Sequence, residues 1–226
     1  MRARSLALSL LLSLAPVPAA QDAYTVIPQK QTTIYESGWL RVRRVSYPPG
    51  ESVTLHEHKA RVVVFLRDAI VRSVTLDGKI TDTIYKAGTV NWSEPIKHSL
   101  KNLGSTPLEA VEAELLGRHP DISQRFTGDP SKQDPAHFKL EFENDRVRVF
   151  RFHLGPHESS LMHDHLEYVT VLLTDAHRSN TLPNGATLES NEEAGTISHG
   201  PSTRHAVQNL GDALIEAISI EFKNLK

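Results

Sequence analysis

The chain has 226 residues, 25 basic and 27 acidic side chains, a formal net charge of −2 and no cysteine. The lack of thiols excludes disulfides and thiolate metal sites, and a near-neutral balance without a basic block argues against nucleic acid as a partner. Hydrophobic residues make up 39% of the chain, enough for compact domains held by their cores alone.

Residues 1–20 read as a secretory signal peptide. Arg2 and Arg4 precede an apolar run from Leu6 to Leu14, and Ala19-Ala20 supplies small residues before a polar Gln21. The run is too short to span a bilayer, which takes about 20 residues. Cleavage there predicts an exported protein, periplasmic or secreted, with no membrane insertion afterwards. Removal of two arginines would leave 23 basic against 27 acidic residues.

From there the chain repeats itself. A shift of 107 positions carries His56, His58 and His98 onto His163, His165 and His205 without a gap. It also carries Gly88 onto Gly195 and Asn102-Leu103-Gly104 onto Asn209-Leu210-Gly211. Repetition at a domain-sized period means two copies of one fold, expected over 21–116 and 136–226. The Pro-, Gly- and Asp-rich stretch 117–135 is expected to link them.

Within each copy the pattern is β. Leu40–Arg43 and Val147–Phe152 alternate with the period of half-buried strands. Val62–Leu66 and Val169–Leu173 are short apolar runs rich in valine, the composition of buried strands. Asp77-Gly78 and Asn184-Gly185 favour tight hairpins. No long amphipathic helix follows the signal segment, so each copy is expected to be a small antiparallel sandwich or barrel.

Histidines at i and i+2 of a strand share a face. His56 and His58, and likewise His163 and His165, can therefore aim two imidazoles inward. His98 or His205 from another strand would complete a three-nitrogen set. Imidazole suits a divalent transition metal (Fe, Mn, Ni, Cu or Zn), and three ligands leave positions open. Metal affinity is then expected to fall as the pH drops through about 6.5, where a free imidazole takes up its proton.

These residues resemble the two motifs of the cupin superfamily. The first appears as Pro49-Gly50 followed by His56-Glu57-His58, and as Pro156-His157 followed by His163-Asp164-His165, with His157 in place of the glycine. The second appears as Gly88 with His98 and Asn102, and as Gly195 with His205 and Asn209. The resemblance implies an all-β chain of two tandem cupin-like jelly-roll barrels. The glutamate that ends the family's first motif would fall near Val62 or Val63 and near Val169 or Thr170, where no carboxylate stands. That departure points away from a three-His, one-Glu arrangement and towards cupin-like oxygenases with three histidines.

Two functions stay open: an exported metal-dependent oxidoreductase, dioxygenase-like, acting on a small molecule, or a non-catalytic small-ligand-binding or sensing module of the cell envelope. Homo-oligomerisation is left open, and no general base can be named. The second copy is expected to be the reacting one, because Glu167, Thr170 and His199 are polar where the first has Ala60, Val63 and Trp92. Glu167 itself is expected in a solvated turn. Val62, Val63, Phe65 and Trp92 are expected to make a drier surrounding for the first triad. His119 and His137 are expected to be solvated, His177 to lie in a loop, and His153 to flank the second pocket. Lys97 and Arg204 should point outwards, and Asn102 and Asn209 should form turns.

Overall fold

The 107-position repeat takes the form of two β-barrels in a computed structural model, which describes residues 20–120 and 125–224. All but the last residue of the expected signal segment lies outside the described residues. Among those described, no helix is long and apolar enough to cross a membrane.

The first barrel contains β1 (Gln21–Asp22), helix α1 (Ala23–Val26), β2 (Gln31–Glu36), β3 (Leu40–Tyr47), β4 (Ser52–His58), β5 (Arg61–Phe65), β6 (Ala69–Thr75), β7 (Ile80–Tyr85), β8 (Val90–Ser93), β9 (Ile96–Asn102) and β10 (Leu108–Leu115). They form two facing sheets, β1-β4-β9-β6-β7 and β2-β3-β10-β5-β8. The second barrel contains helix α2 (Pro130–Gln133), β11 (Phe138–Glu143), β12 (Val147–Leu154), β13 (His163–His165), β14 (Tyr168–Leu172), β15 (Ala176–Thr181), β16 (Thr187–Glu192), β17 (Ile197–Gly200), β18 (Thr203–Asn209) and β19 (Ile215–Phe222). Its sheets are β11-β12-β19-β14-β17 and β13-β18-β15-β16.

Both predicted hairpins form, β6–β7 and β15–β16, with Gly78 and Gly185 at φ 81° and 80°. Asn102 and Asn209 do more than turn the chain. Each is almost fully buried, and its amide caps three backbone carbonyls, those of Tyr47, Pro48 and Thr106 or of Leu154, Gly155 and Ala213. An amide that satisfies three otherwise buried acceptors ties the end of β9 or β18 to the loop after β3 or β12.

Strand parity sorts the core. On β5 and β10, Val62, Val64, Val111, Ala113 and Leu115 leave their own barrel. They pack with Val147, Val149, Val169, Val171, Ile218, Ile220 and Phe222 of the other copy. Val63, Phe65 and Ala110 face inwards in the first barrel, as Phe150, Leu172 and Ala217 do in the second. Such unbroken apolar runs arise because each of these strands is covered on both faces.

The contact between barrels is a pseudo-two-fold. Tyr35 stacks on His199 at 3.8 Å, and the same shift gives Trp92 on Phe142 at 5.9 Å. Arg151 donates to the Gly88 carbonyl at 2.7 Å, while Arg44 lies against Gly195. Both glycines have positive φ, 77° and 84°, and a Cβ on either would sit 3.2–3.3 Å from the opposing barrel. The positive φ favours glycine there, and the close approach of the opposing side chains adds to that preference. Val62 and Trp92 thus serve the interface, and the expected surrounding of the first triad shrinks to Val63 and Phe65.

The second half of the expected linker is part of the second barrel. Helix α2 packs on β13 as α1 packs on β4. Asp134, 1% exposed, accepts from the Leu161 amide and from His137 Nδ1. His137 is therefore bonded and mostly covered rather than solvated.

Candidate metal centres

Pairing of β4 with β9 sets His56 opposite His98, and pairing of β13 with β18 sets His163 opposite His205. The i+2 histidines, His58 and His165, turn to the same side, as their strand spacing requires. In the first barrel the ring centroids lie 4.7–5.6 Å apart, and in the second 4.8–5.3 Å. In each triad one ligand nitrogen per residue lies within 4.8 Å of the others.

In both triads the first histidine's outer nitrogen is held by a backbone carbonyl. His56 Nδ1 donates to the Thr54 carbonyl and His163 Nδ1 to the Leu161 carbonyl, each at 2.7 Å. A proton fixed on Nδ1 leaves the Nε2 lone pair directed inwards, the tautomer a metal needs. His98 Nε2 and His163 Nε2 are buried without a hydrogen-bond partner. Such orphaned acceptors are costly unless something fills the space between them.

Burial and the facing imidazoles push the ring of His98 down to about 3 and that of His205 to about 2. Burial likewise takes His56 and His163 to about 4. These four rings stay neutral far below pH 6.5, so proton competition at them begins near pH 4 or lower. The expected fall in metal affinity through pH 6.5 is not carried by these four rings. The donor set therefore fits a divalent transition metal in either barrel.

Carboxylates absent from motif one come from the last strand of each barrel. Glu221 on β19 is fully buried and accepts from His165 Nδ1 at 2.8 Å. Its other oxygen accepts from Arg148 Nε at 3.0 Å and Nη2 at 2.5 Å. In the first barrel Glu114, at the equivalent position, is turned towards the Lys59 amide at 2.6 Å and stands 3.7 Å from His58 Nδ1. Sequence reasoning looked for this acid in motif one and missed it. The available signal was an acid amid apolar residues of a buried strand, present in both copies.

The cavities differ. That of the second barrel is about 200 Å3 and is lined by its triad, by Thr170, Arg178, Asn180, Ser198, Thr203 and Ser219, and by Phe138, Phe152 and Tyr168. Glu167 and His199 are not among its lining. Glu167 is buried, not in a solvated turn, and bonds His199 Nε2 at 2.9 Å, with His119 Nε2 at 3.2 Å. His119, expected in solvent, has a side chain only 3% exposed and lies against Trp39. The reason in each case is the neighbouring barrel, which covers this edge. His153 is half-exposed beside Glu216 and lies outside the cavity lining. His177 is on β15, not in a loop. Lys97 and Arg204 point outwards, beside Glu57 and Asp164.

In the first barrel, Tyr24 of α1 fills the approach to the triad. It is 8% exposed, donates to Glu112 Oε2 at 3.0 Å and meets His58 edge-on at 6.1 Å. The guanidinium groups of Arg41 and Arg43 lie 4.7 and 4.5 Å from its ring. The matching residue on α2 is Ser131, too small to do the same.

No family model and no curated protein matches the sequence. Solved structures do match in fold. Salicylate 1,2-dioxygenase from Pseudoaminobacter salicylatoxidans superposes with a TM-score of 0.60 at 11% identity, covering 91% of this chain and 84% of that one. AerE from Microcystis aeruginosa gives 0.60 at 12% identity over 86% and 97%. Oxalate decarboxylase of Bacillus subtilis, which has Mn(II) centres, gives 0.57 at 14% identity over 94% and 79%. In fold, this chain is similar to these two-barrel cupin structures, and each of its barrels brings together three histidines that could hold a metal ion.

Proposed function

We propose that the chain is an exported metal-dependent oxidoreductase, dioxygenase-like, acting on a small organic molecule in the second barrel. One observation carries this reading. The second triad opens on a cavity of about 200 Å3 with convergent polar groups, whereas the first is closed by Tyr24. Reacting sites pair a cavity with a few well-placed polar groups.

A divalent transition metal held by His163, His165 and His205 would supply Lewis acidity and, if redox-active, a route for electrons. The chain's own residues do the rest. Glu221 keeps the proton on His165 Nδ1 and raises that ligand's basicity. Arg178, paired with Glu192 at 2.8 Å, is the one guanidinium in the lining and orients an anionic group. Phe138, Phe152 and Tyr168 provide flat apolar walls that exclude water. Export rests on the signal segment, and a mature N-terminus at or next to Gln21 is expected by mass spectrometry of secreted material.

The fold neighbours act on salicylate and oxalate, so the screen begins with small hydroxyaromatic and dicarboxylic acids. Full-length mature protein, analysed for metal and reloaded with Fe(II) or Mn(II), is expected to consume oxygen or release CO2 with one of them. His163→Ala with His165→Ala should abolish turnover, and the His56/His58 pair should mainly affect metal content or stability. Turnover lost only through the first pair would overturn the assignment to the second barrel. Metal and ligand binding without turnover would favour the binding or sensing role.

A further inference from the structure

The first barrel holds a buried cation that the metal reading does not use. Arg61, at the start of β5, is 6% exposed, and its Nε and Nη1 are both buried without a hydrogen-bond partner. Glu112 Oε1 lies 3.5 Å from Nε, close enough to offset the charge but too far for a good hydrogen bond. Glu112 Oε2 is engaged by the Tyr24 hydroxyl. A guanidinium has five donors in a fixed plane, and leaving the three on Nε and Nη1 unbonded in an apolar interior is costly.

Arg61 sits at the polar end of a cavity of about 70 Å3, with Glu112, Asn91 and Ser93. The other end is apolar, formed by Val45, Val63, Phe65, Leu100, Leu108 and Ala110. The volume holds roughly five waters, or a molecule of about five heavy atoms. One end therefore offers unfilled cationic N–H donors and the other a short hydrocarbon slot. In the second barrel the positions of Arg61 and Glu112 carry Tyr168 and Ser219, and the cavity's arginine, Arg178, comes from another strand. The two cavities thus differ in which strands supply their polar groups.

We propose that the first barrel binds a short-chain aliphatic monocarboxylate, its carboxylate accepting from Arg61 and its alkyl group lying among Val63, Phe65 and Leu100. A carboxylate matches the planar fork of a guanidinium and would fill the N–H donors that Glu112, offsetting the charge at 3.5 Å, leaves unbonded. Glu112, itself bonded by the Tyr24 hydroxyl, stands beside the arginine at the polar end. The role is binding, with no bond made or broken, and it is independent of turnover in the second barrel.

The test is calorimetric titration of the full mature chain, with its metal, using acetate, propionate, butyrate, isobutyrate and hexanoate. Saturable binding is expected, strongest for the three- and four-carbon acids and falling by at least tenfold for hexanoate. Arg61→Met should weaken it at least tenfold, and Ala110→Leu, which keeps Arg61 but fills the slot, should do the same. Arg72→Met, at a surface arginine paired with Asp82 and outside both cavities, should leave it unchanged. Melting curves identify any variant that fails to fold, and Ala110→Leu keeps the test decisive should Arg61→Met be one. No saturable binding in the millimolar range, meaning that water alone fills the cavity, would overturn the proposal. So would binding that survives both Arg61→Met and Ala110→Leu or is lost in Arg72→Met.

Discussion

Single residues set how each triad treats a metal. Glu221 is the carboxylate behind His165, and removing such a partner costs about 10–100-fold in metal affinity. Glu221→Gln should therefore weaken binding in the second barrel by that order, read by competition with a chromophoric chelator. Glu114→Gln should move the first site much less, since its nearer oxygen stands 3.7 Å from His58. A second expectation concerns acid. His56, His98, His163 and His205 have folded values near 4, 3, 4 and 2, below the ordinary 6.5. The unfolded chain thus binds more protons, so their neutral burial contributes full stability above pH 6.5 and loses it as pH falls towards 4. Denaturation of metal-free protein at pH 7.5, 6 and 5 should show this decline, and a flat profile would refute it. A third concerns His157, whose φ of 60° matches Gly50 in the other copy. A non-glycine residue there costs on the order of 1 kcal/mol, and its contact with Asp212 is highly exposed. His157→Gly should raise stability by about that amount in urea titrations.

At the scale of elements, the two capping helices decide which cavity is open. Tyr24 on α1 and Ser131 on α2 occupy matching places, and only the tyrosine reaches a buried acid. Tyr24→Phe keeps the ring but strips Glu112 of a donor, an expected loss of about 1–3 kcal/mol, measurable by chemical denaturation. The strands themselves were legible in advance: the i+2 histidines, the valine runs and the Asp-Gly and Asn-Gly turns each report a local rule. Glu112, Glu221, Arg61 and Arg178 were not, because their meaning depends on which strand lies beside them. Pairing of β19 with β12 brings Glu221 opposite Arg148, a relation no local window contains. Glu167 and His199 misled for a related reason. Their polarity was real, but it belongs to an edge covered by the other barrel.

For the whole molecule, the shared apolar layer makes neither barrel independent. A fragment of residues 21–116 would present Leu40, Val42, Val62, Val64, Val111 and Ala113 to water. It is expected to self-associate, since the pseudo-two-fold makes the surface nearly self-complementary. Sedimentation showing a stable monomer would contradict this. The intact chain should unfold in one calorimetric transition.

The parity of those strands also shapes how the protein can change over generations. Alternate residues of β5, β10, β14 and β19 serve two masters. Those facing the partner have stayed apolar, Val62 with Val169, Val64 with Val171 and Val111 with Ile218. Several of those facing inwards have changed in polarity, Arg61 against Tyr168, Val63 against Thr170, Glu112 against Ser219. Inheritance can therefore rewrite one pocket without loosening the joint or disturbing its twin, so a duplicated ancestor could acquire a second specificity while keeping the first.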